Sequence, residues 1–213
     1  MNHVIEKEIL ESERKTKDPV KETKSPLPGE RRFVGDKIDN KMHGVLEQYD
    51  VHSNLIGYQT FDNGVLHGES RHYDRLQYLK DKMSYQNGAP HGSAEFYKQG
   101  GPLMQAMYHE GKLHGEVLIY DRGGLLQAQI NYMHGFREGP ATFYNSFGHI
   151  KQMLNYHHGL LEGPTITYYP SGAILESGLY VQGQRHGEFK SYDENGTIRQ
   201  IVVFDRGRLV QSL

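Results

Sequence analysis

Histidine is the side chain with the most chemistry to offer in this sequence, with 13 copies among 213 residues. Seven of the histidines directly precede a glycine, and five of these form one series whose spacing is about 24 residues or a multiple of it: His43, His67, His91, His114 and His186. If each belongs to one hairpin of a β-sheet, neighbours lie about 10 Å apart, whereas the ligands of a zinc ion lie about 2 Å from it. We therefore predict a structural ladder, in which each imidazole stacks on a facing aromatic ring and bonds a turn, and no metal site.

Other reactive patterns in the sequence also favour structural roles. His109 and His114 resemble a metalloprotease helix, but they are five residues apart instead of four and the segment between them contains glycine. His157 and His158 have no third ligand in view, and Glu138 and Glu162 are predicted to lie about 10 Å apart, too far for a retaining glycosidase pair. The sequence has no phosphate-binding loop, nucleophile elbow, dinucleotide fingerprint or cysteine. We therefore predict no enzyme, no cofactor and no metal.

These residues sit in a repeat of seven units, each numbered here from a glycine at position 0. The glycines are separated by 24, 24, 23, 24, 24 and 24 residues: Gly44, Gly68, Gly92, Gly115, Gly139, Gly163 and Gly187. Position 5 is always tyrosine: Tyr49, Tyr73, Tyr97, Tyr120, Tyr144, Tyr168 and Tyr192. Position 11 is aliphatic, position 17 is aromatic and position 20 is glycine. Such a period indicates a repeat architecture.

Each unit is predicted to form two short strands and two turns. Two or more glycines per unit would cost roughly 1 kcal/mol each inside a helix, so a helical repeat is rejected. The second turn lies at the position-20 glycine, and the first is marked by Gly101, Gly124, Gly148, Gly172 and Gly196. The third unit is one residue short, and we place the deletion between Leu103 and Tyr108.

Hairpin symmetry predicts the strand register. If position 5 faces position 11, position 3 faces position 13, and Arg71 opposes Asp81. Across the second turn, position 17 faces the His or Glu before the next glycine: Phe61 with His67, Tyr85 with His91, Tyr108 with His114, Tyr132 with Glu138, Tyr156 with Glu162 and Tyr180 with His186. These positions share strand parity, so we expect both aromatic rows on one face.

The composition of the chain limits the partners and the cellular location that can be expected. The 24 Lys and Arg against 26 Asp and Glu give no electrostatic preference for nucleic acid or for an anionic membrane. The first residues are too polar for a secretory leader and no apolar run spans a bilayer, so a cytoplasmic protein is expected. Residues 1–30 are predicted to be a disordered polar tail, followed by the repeat domain at 31–213.

The tyrosine, the two glycine turns and the His-Gly or Glu-Gly opening resemble a MORN-repeat variant, the 24-residue bacterial form found in proteins described as antitoxin components. The resemblance covers about residues 33 to 210. It implies an all-β fold, an elongated single-layer twisted antiparallel sheet of about seven tandem hairpins, and a role in binding another protein.

Units five and six depart from the repeat and are the predicted partner-binding region. Both have Glu-Gly-Pro where other units have His-Gly-Glu, and both have an aromatic residue in the first turn. The candidate residues are Glu138, Phe147, Tyr156, Glu162 and Tyr169. The favoured hypothesis is an immunity protein or antitoxin that neutralises a cognate toxin or effector by occluding it. The alternatives are a scaffold or membrane-surface adaptor and, third, an enzyme with an unrecognised site. The sequence does not predict the oligomeric state.

Overall fold

The computed structural model describes residues 31–212, so the predicted tail at 1–30 lies outside the described residues. Within that range the chain forms one open sheet of 18 strands and has no helix. The strands are β1 (Arg31–Ile38), β2 (Lys41–Tyr49), β3 (Leu55–Asp62), β4 (Val65–Tyr73), β5 (Leu79–Gln86), β6 (Ala89–Lys98), β7 (Gly101–His109), β8 (Lys112–Leu113), β9 (Gly115–Tyr120), β10 (Leu126–Met133), β11 (Phe136–Tyr144), β12 (Ile150–His157), β13 (Leu160–Leu161), β14 (Gly163–Tyr168), β15 (Ile174–Val181), β16 (Gln184–Tyr192), β17 (Ile198–Asp205) and β18 (Arg208–Ser212).

Each strand pairs antiparallel with its neighbour along the chain, so the sheet is a continuous meander. The short β8 and the following β9 both pair with β7, and β13 and β14 both pair with β12, so each of these pairs acts as one interrupted strand. The predicted all-β sheet of repeated hairpins is confirmed.

The second turn of each unit is a two-residue hairpin loop. In the first unit, Asn63 and Gly64 have φ of 50° and 81°, and Asp62 pairs directly with Val65. Positive φ at both central residues is typical of a type I′ turn, whose twist matches the sheet. Gly64 also donates its N–H to Met42 O at 2.7 Å, which ties the turn to the preceding hairpin. The positive φ explains why this turn position is glycine in every unit.

The first turn is longer and is organised by an acidic or amide side chain at position 6. Asp74 Oδ1 accepts the backbone N–H groups of Leu76 and Tyr78 at 2.8 and 3.0 Å. Asp50, Asp121, Asn145 and Asp193 do the same in their own units. Such side-chain bonds stabilise a turn by replacing backbone partners.

The third unit has lost its residue from this first turn. Lys98 pairs with Gly101 across a two-residue loop, in which Gln99 and Gly100 have φ of 51° and 81°. Our placement of the deletion between Leu103 and Tyr108 is therefore wrong, and so is Gly101 as the glycine of this turn, because Gly100 has the positive φ. Leu103 follows Gly92 at the same interval as the equivalent residue in the other units. In the structure, however, it lies between the pairs Phe96–Met104 and Tyr97–Pro102, where the register shifts.

A β-bulge beside the first turn changes the predicted register. Tyr73 faces Leu79 as predicted, but the register then shifts, so that His72 faces Asp81 and Arg71 faces Lys82. The predicted Arg71–Asp81 pair is wrong because the bulge adds one residue to the second strand only. The same shift beside the tyrosine recurs in the other units.

The pairing of the position-17 aromatic residue with the His or Glu before the next glycine is also wrong, by one residue. The six aromatic residues instead face Leu66, Pro90, Leu113, Arg137, Leu161 and Arg185. The two-residue loop fixes this register, and the following His-Gly or Glu-Gly pair lies at an irregularity of the ladder. On its other side, each aromatic residue faces the position-0 glycine, as Phe61 faces Gly44.

The two aromatic rows consequently lie on opposite faces of the sheet. Position 17 faces position 0, and position 5 has the opposite parity on the same strand, so the predicted single aromatic face is wrong. We call the face with positions 2, 15 and 17 the core face. The face with positions 1, 3, 5, 14 and 16 is the tyrosine face.

Most of the burial is on the core face, along position 2. Its buried residues are Ser70, Ala94, Val117, Ala141, Thr165 and Phe189. Ala141 forms the centre of the sheet together with Ala128, Ile130 and Tyr156. Where position 2 is the large Phe189, the adjacent strand has Gly178, and a Cβ at Gly178 would lie 2.4 Å from the phenyl ring. Small and large residues thus alternate to fill a single layer.

Of the residues that the structure describes, none belongs to a helix long and apolar enough to cross a membrane.

Candidate docking surface and histidine edge

Four tyrosines at position 5, namely Tyr120, Tyr144, Tyr168 and Tyr192, contact the preceding unit through their hydroxyl groups. Tyr120 and Tyr144 donate to the side-chain oxygens of Gln105 and Gln129 at 3.0 and 3.2 Å. Tyr192 lies 3.2 Å from Ser177 Oγ in the same way. For these three tyrosines the partner is fifteen residues earlier, at aligned position 14. This row therefore links neighbouring units while the rings stay half-exposed.

In units two and three the tyrosine face is charged. Glu69 accepts hydrogen bonds from Tyr58 and Arg71 at 2.5 and 2.6 Å, and Lys82 lies between Glu69 and Glu95 at 3.7 and 3.5 Å. Burial and the bond to Glu69 raise the pKa of Tyr58 to about 12.

Tyr97 belongs to the same charged network. Its hydroxyl donates to Glu95, and this bond, followed by burial, raises the pKa of Tyr97 to about 12. The bond with Tyr97 in turn lowers the pKa of Glu95. This end of the tyrosine face is a linked array of charges.

In units five and six no charged residue occupies positions 1, 3, 5, 14 and 16 of the tyrosine face. We call this surface the apolar patch, and its members are Pro140, Thr142, Tyr144, Met153, Asn155, Pro164, Ile166, Tyr168, Ser177 and Leu179. Pro140 and Pro164 are exposed, and Met153 and Leu179 are each 39% exposed. Both prolines occupy position 1, where units two, four and seven have Glu69, Glu116 and Glu188. Replacement of glutamate by proline thus removes a charge from this face.

The five predicted partner-binding residues do not come together. Tyr156 is buried on the core face, 8% exposed, with Arg137 Nη1 3.2 Å from its hydroxyl. Glu138 and Glu162 lie at the edge formed by the second turns, whereas Phe147 and Tyr169 lie at the opposite edge, in first turns. Phe147 is 77% exposed.

Tyr169, which replaces the position-6 Asp or Asn in its unit, is half-buried and donates its hydroxyl to Tyr192 O at 2.8 Å. Its hydroxyl is therefore engaged within the sheet.

The two glutamates cap second turns. Glu138 Oε1 lies 2.8 Å from His157 Nδ1 and its Oε2 accepts the N–H of His158 at 2.8 Å. The bond from the His158 amide, with that from the His157 ring, lowers the pKa of Glu138. Glu162 Oε2 accepts the N–H of Gln182 at 2.7 Å.

In units one and seven the same two positions are occupied in the opposite order, with histidine before the repeat glycine and aspartate at position 18. His43 Nδ1 lies 2.9 Å from Asp62 Oδ1, and His186 Nδ1 lies 3.6 Å from Asp205 Oδ1. The switch from histidine to Glu138 therefore accompanies a switch from aspartate to His157 at position 18.

Four other histidines on this edge contact one another. Ring centroids are 4.9 Å apart for His91 and His109, 5.7 Å for His109 and His114, and 5.3 Å for His114 and His134. We call these four side chains the histidine row. The prediction that His91 and His114 stack on Tyr85 and Tyr108 is wrong, because the register moves those rings to other partners. The predicted spacing of about 10 Å considered only the histidines that precede the repeat glycines. It left out His109, which lies between His91 and His114, and His134, which lies beside His114.

No three His, Cys, Asp or Glu side chains are placed to hold a metal ion together anywhere in residues 31–212. Sequence reasoning did miss one acid–base pair, since His72 Nδ1 lies 2.6 Å from Asp81 Oδ1. This pair lines a depression of about 1230 Å³ between the first turns of units one and two, beside Tyr49. Only the bulge brings the two residues opposite each other.

Three consecutive stretches of the chain match a family model described as the MORN repeat variant: residues 137–158, 161–182 and 185–206. Their starting points are 24 residues apart, which is the period of the hairpins. This part of the chain is therefore similar to the MORN repeat variant over three consecutive units. A search of curated proteins finds no match to the chain.

Two solved structures with similarity to the chain are both of TarM. One is a point mutant of S. aureus TarM in complex with fondaparinux, alpha-GlcNAc-glycerol and UDP, 13% identical, covering 56% of this chain and 19% of that chain, with a TM-score of 0.26. The other is a crystal structure of TarM, 14% identical, covering 86% of this chain and 23% of that chain, with a TM-score of 0.20. The chain spans about a fifth of the length of these structures, and neither similarity supports an argument about function.

Proposed function

We propose that this chain is a repeat-based protein-binding protein whose docking surface is the apolar patch. One observation carries the proposal: the tyrosine face is charged in units two and three and uncharged across units five and six, where Met153 and Leu179 are exposed. Protein interfaces are depleted of charged residues at their centres and enriched in tyrosine and methionine. Three MORN repeat variants in the same region support a binding or scaffolding role.

The patch also has the rigidity that an interface needs. Tyr144 and Tyr168 are held by contacts of their hydroxyls with Gln129 and with Met153 Sδ, at 3.2 and 3.5 Å. Asn155 Nδ2 donates to Glu162 O at 3.0 Å, next to Pro164. A surface whose side chains are already ordered loses little conformational entropy when a partner binds.

For the partner we propose a toxin or effector, which the chain neutralises as an immunity protein or antitoxin by covering its active surface. The support is the resemblance of the 24-residue repeat to proteins described as antitoxin components, together with a patch that presents two tyrosines, Tyr144 and Tyr168, as aromatic anchors.

The test is co-purification with the product of the neighbouring gene, followed by calorimetry. The double variant Met153→Lys, Leu179→Lys places two charges in the patch, and we expect it to weaken binding at least a hundredfold, about 3 kcal/mol. Met107→Lys is the matched control, because Met107 lies on the same face in unit three and is 47% exposed. Equal affinity of the double variant and the control would exclude the apolar patch as the docking surface. Co-expression without rescue of toxicity would exclude the antitoxin role.

A scaffold or membrane-surface adaptor is the second candidate function. The supporting observation is the edge strand β18, which is exposed along its length and includes Leu209 and Val210 at 59% and 62%. An exposed edge strand is able to pair with a strand of another chain. Co-sedimentation with anionic vesicles separates the two candidates, because the formal net charge of −2 predicts no binding for a purely protein-directed surface.

A further inference from the structure

We propose that the histidine row binds a divalent transition-metal cation, with His91 and His109 as its protein ligands and Zn²⁺ as the representative ion. The row lies at the second-turn end of the tyrosine face, outside the apolar patch. His91 is in β6 and His109 is the last residue of β7, so the two rings come from paired strands and have a fixed separation. The site is therefore built by the sheet and not by a flexible loop.

The separation of the two rings fits a shared ion. A zinc ion lies 2.0–2.1 Å from an imidazole nitrogen, hence about 3.1 Å from the ring centroid, and two ligands at 90–110° place their centroids about 4.4–5.2 Å apart. The observed distance between His91 and His109 is 4.9 Å. The distance of 5.7 Å from His109 to His114 requires a wider angle, so His114 and His134 are not ligands of this ion.

The surroundings of His91 and His109 also suit the binding of a cation, because over the residues that the structure describes these two rings, unlike others on this edge, do not form salt bridges with carboxylates. Elsewhere on this edge the histidines meet carboxylates: His43 with Asp62, His157 with Glu138, and His186 with Asp205. Within residues 31–212, neither His91 nor His109 forms an ion pair.

The row supplies two nitrogen ligands, and water completes the coordination. No third carboxylate or imidazole converges on the same point in the described part of the chain. His114 Nδ1 is buried without a hydrogen-bond partner, so this neighbouring ring would interact with a ligand only through Nε2. Imidazole pairs with open positions suit Zn²⁺, Ni²⁺ and Cu²⁺, but not Mg²⁺ or Ca²⁺.

Isothermal titration calorimetry with Zn²⁺ tests the proposal, using untagged protein at pH 7.5 with His3→Gln, so that His3 makes no contribution. We expect one ion per chain at micromolar concentration, no heat with Mg²⁺, and weaker binding at pH 5.5 because the ligands must be neutral. His91→Gln and His109→Gln should each weaken binding at least tenfold.

His149→Gln is the matched control, since His149 is an exposed histidine in a first turn at the opposite edge. Circular dichroism establishes that every variant is folded. Binding that is absent below about 100 μM Zn²⁺, or that persists unchanged in both row variants, overturns the proposal.

Discussion

At the scale of single residues, three tyrosines on the same face have hydroxyls bonded to carboxylates, the first being Tyr49, which donates to Glu47. Tyr58 donates to Glu69 and Tyr97 donates to Glu95, and both pKa values are raised to about 12. Tyr120, Tyr144 and Tyr192 instead meet neutral amide or hydroxyl groups. Position 5 thus has two chemical environments, a carboxylate beside Tyr97 and a neutral group beside Tyr120, Tyr144 and Tyr192.

Alkaline titration should separate these environments. A folded-state pKa above the unfolded value of about 10 gives a contribution to stability that is complete below pH 10 and lost as the pH rises towards 12. We therefore expect Tyr97→Phe to lose stability relative to wild type at pH 9 but not at pH 12, in urea unfolding. Absorbance at 295 nm should show one late-titrating tyrosine fewer.

Tyr192→Phe is the control for this titration, because its hydroxyl contacts Ser177 and no carboxylate. A loss of stability that is the same for both variants at every pH would contradict the role of Glu95.

The sequence predicted which residues recur but not what their side chains touch. Tyrosine at position 5 and glycine at position 20 follow from the pattern alone, because their roles are the same in every unit. The roles of Glu138 and His157 do not, since their contact spans a turn and exists only in the observed register. A shift of one residue replaces every such partner.

At the scale of elements, the turns decide the arrangement of each unit. The third unit closes its first turn with Gln99 and Gly100, whereas the other units use a longer loop, which has a side-chain cap in all of them except unit six. Both versions leave the bulge between the turn and the strand in place. A change of length is therefore absorbed before the strand begins.

Adjacent glycines in the third unit test this turn. Gly100 has φ of 81°, so Gly100→Ala should cost about 1 kcal/mol in the free energy of unfolding. Gly101 is not in the left-handed region, and a Cβ there would lie 3.6 Å from the nearest atom, Lys98 O. Gly101→Ala should therefore be neutral or slightly stabilising, because alanine restricts the unfolded chain.

Chemical denaturation of the two variants provides the measurement. If Gly101→Ala proves the more damaging of the pair, the missing residue lies elsewhere in the unit, and a deletion between Leu103 and Tyr108 regains support.

Strands and turns were predictable at this scale, whereas the bulge was not. Alternation of residue types marks a strand, and two glycines per unit mark its ends. The bulge residue Lys80 is not of a distinctive type, and the period of the sequence does not show which residue is left unpaired in the strand ladder. Gly178 is similar: its absent side chain makes room for Phe189, a contact that no local pattern reveals.

At the scale of the whole molecule, each hairpin contacts mainly its neighbours along the chain. Stability in such a sheet is approximately a sum of unit and interface contributions. The identical tripeptides at residues 138–140 and 162–164 allow this to be tested, because deletion of residues 140–163 restores Glu-Gly-Pro at the junction.

We expect the chain lacking residues 140–163 to fold, with a urea m-value reduced roughly in proportion to the residues removed. Deletion of residues 140–151 removes half a unit and reverses the direction of the following strands relative to those before. That variant should lose cooperative unfolding. Circular dichroism and urea titration of both proteins provide the comparison, and similar stability of the two would argue against independent 24-residue units.

The short first turn of unit three has a practical consequence for protein engineering. Natural loops of different lengths at one edge show that this edge accepts insertions, while the opposite edge is restricted by its linked two-residue turns. Epitopes, fluorophore sites or purification peptides grafted after Asp121 or Asn145 should therefore leave both faces available. The same grafts at Gly111 or Gly135 would break the hydrogen bonds that join one hairpin to the next.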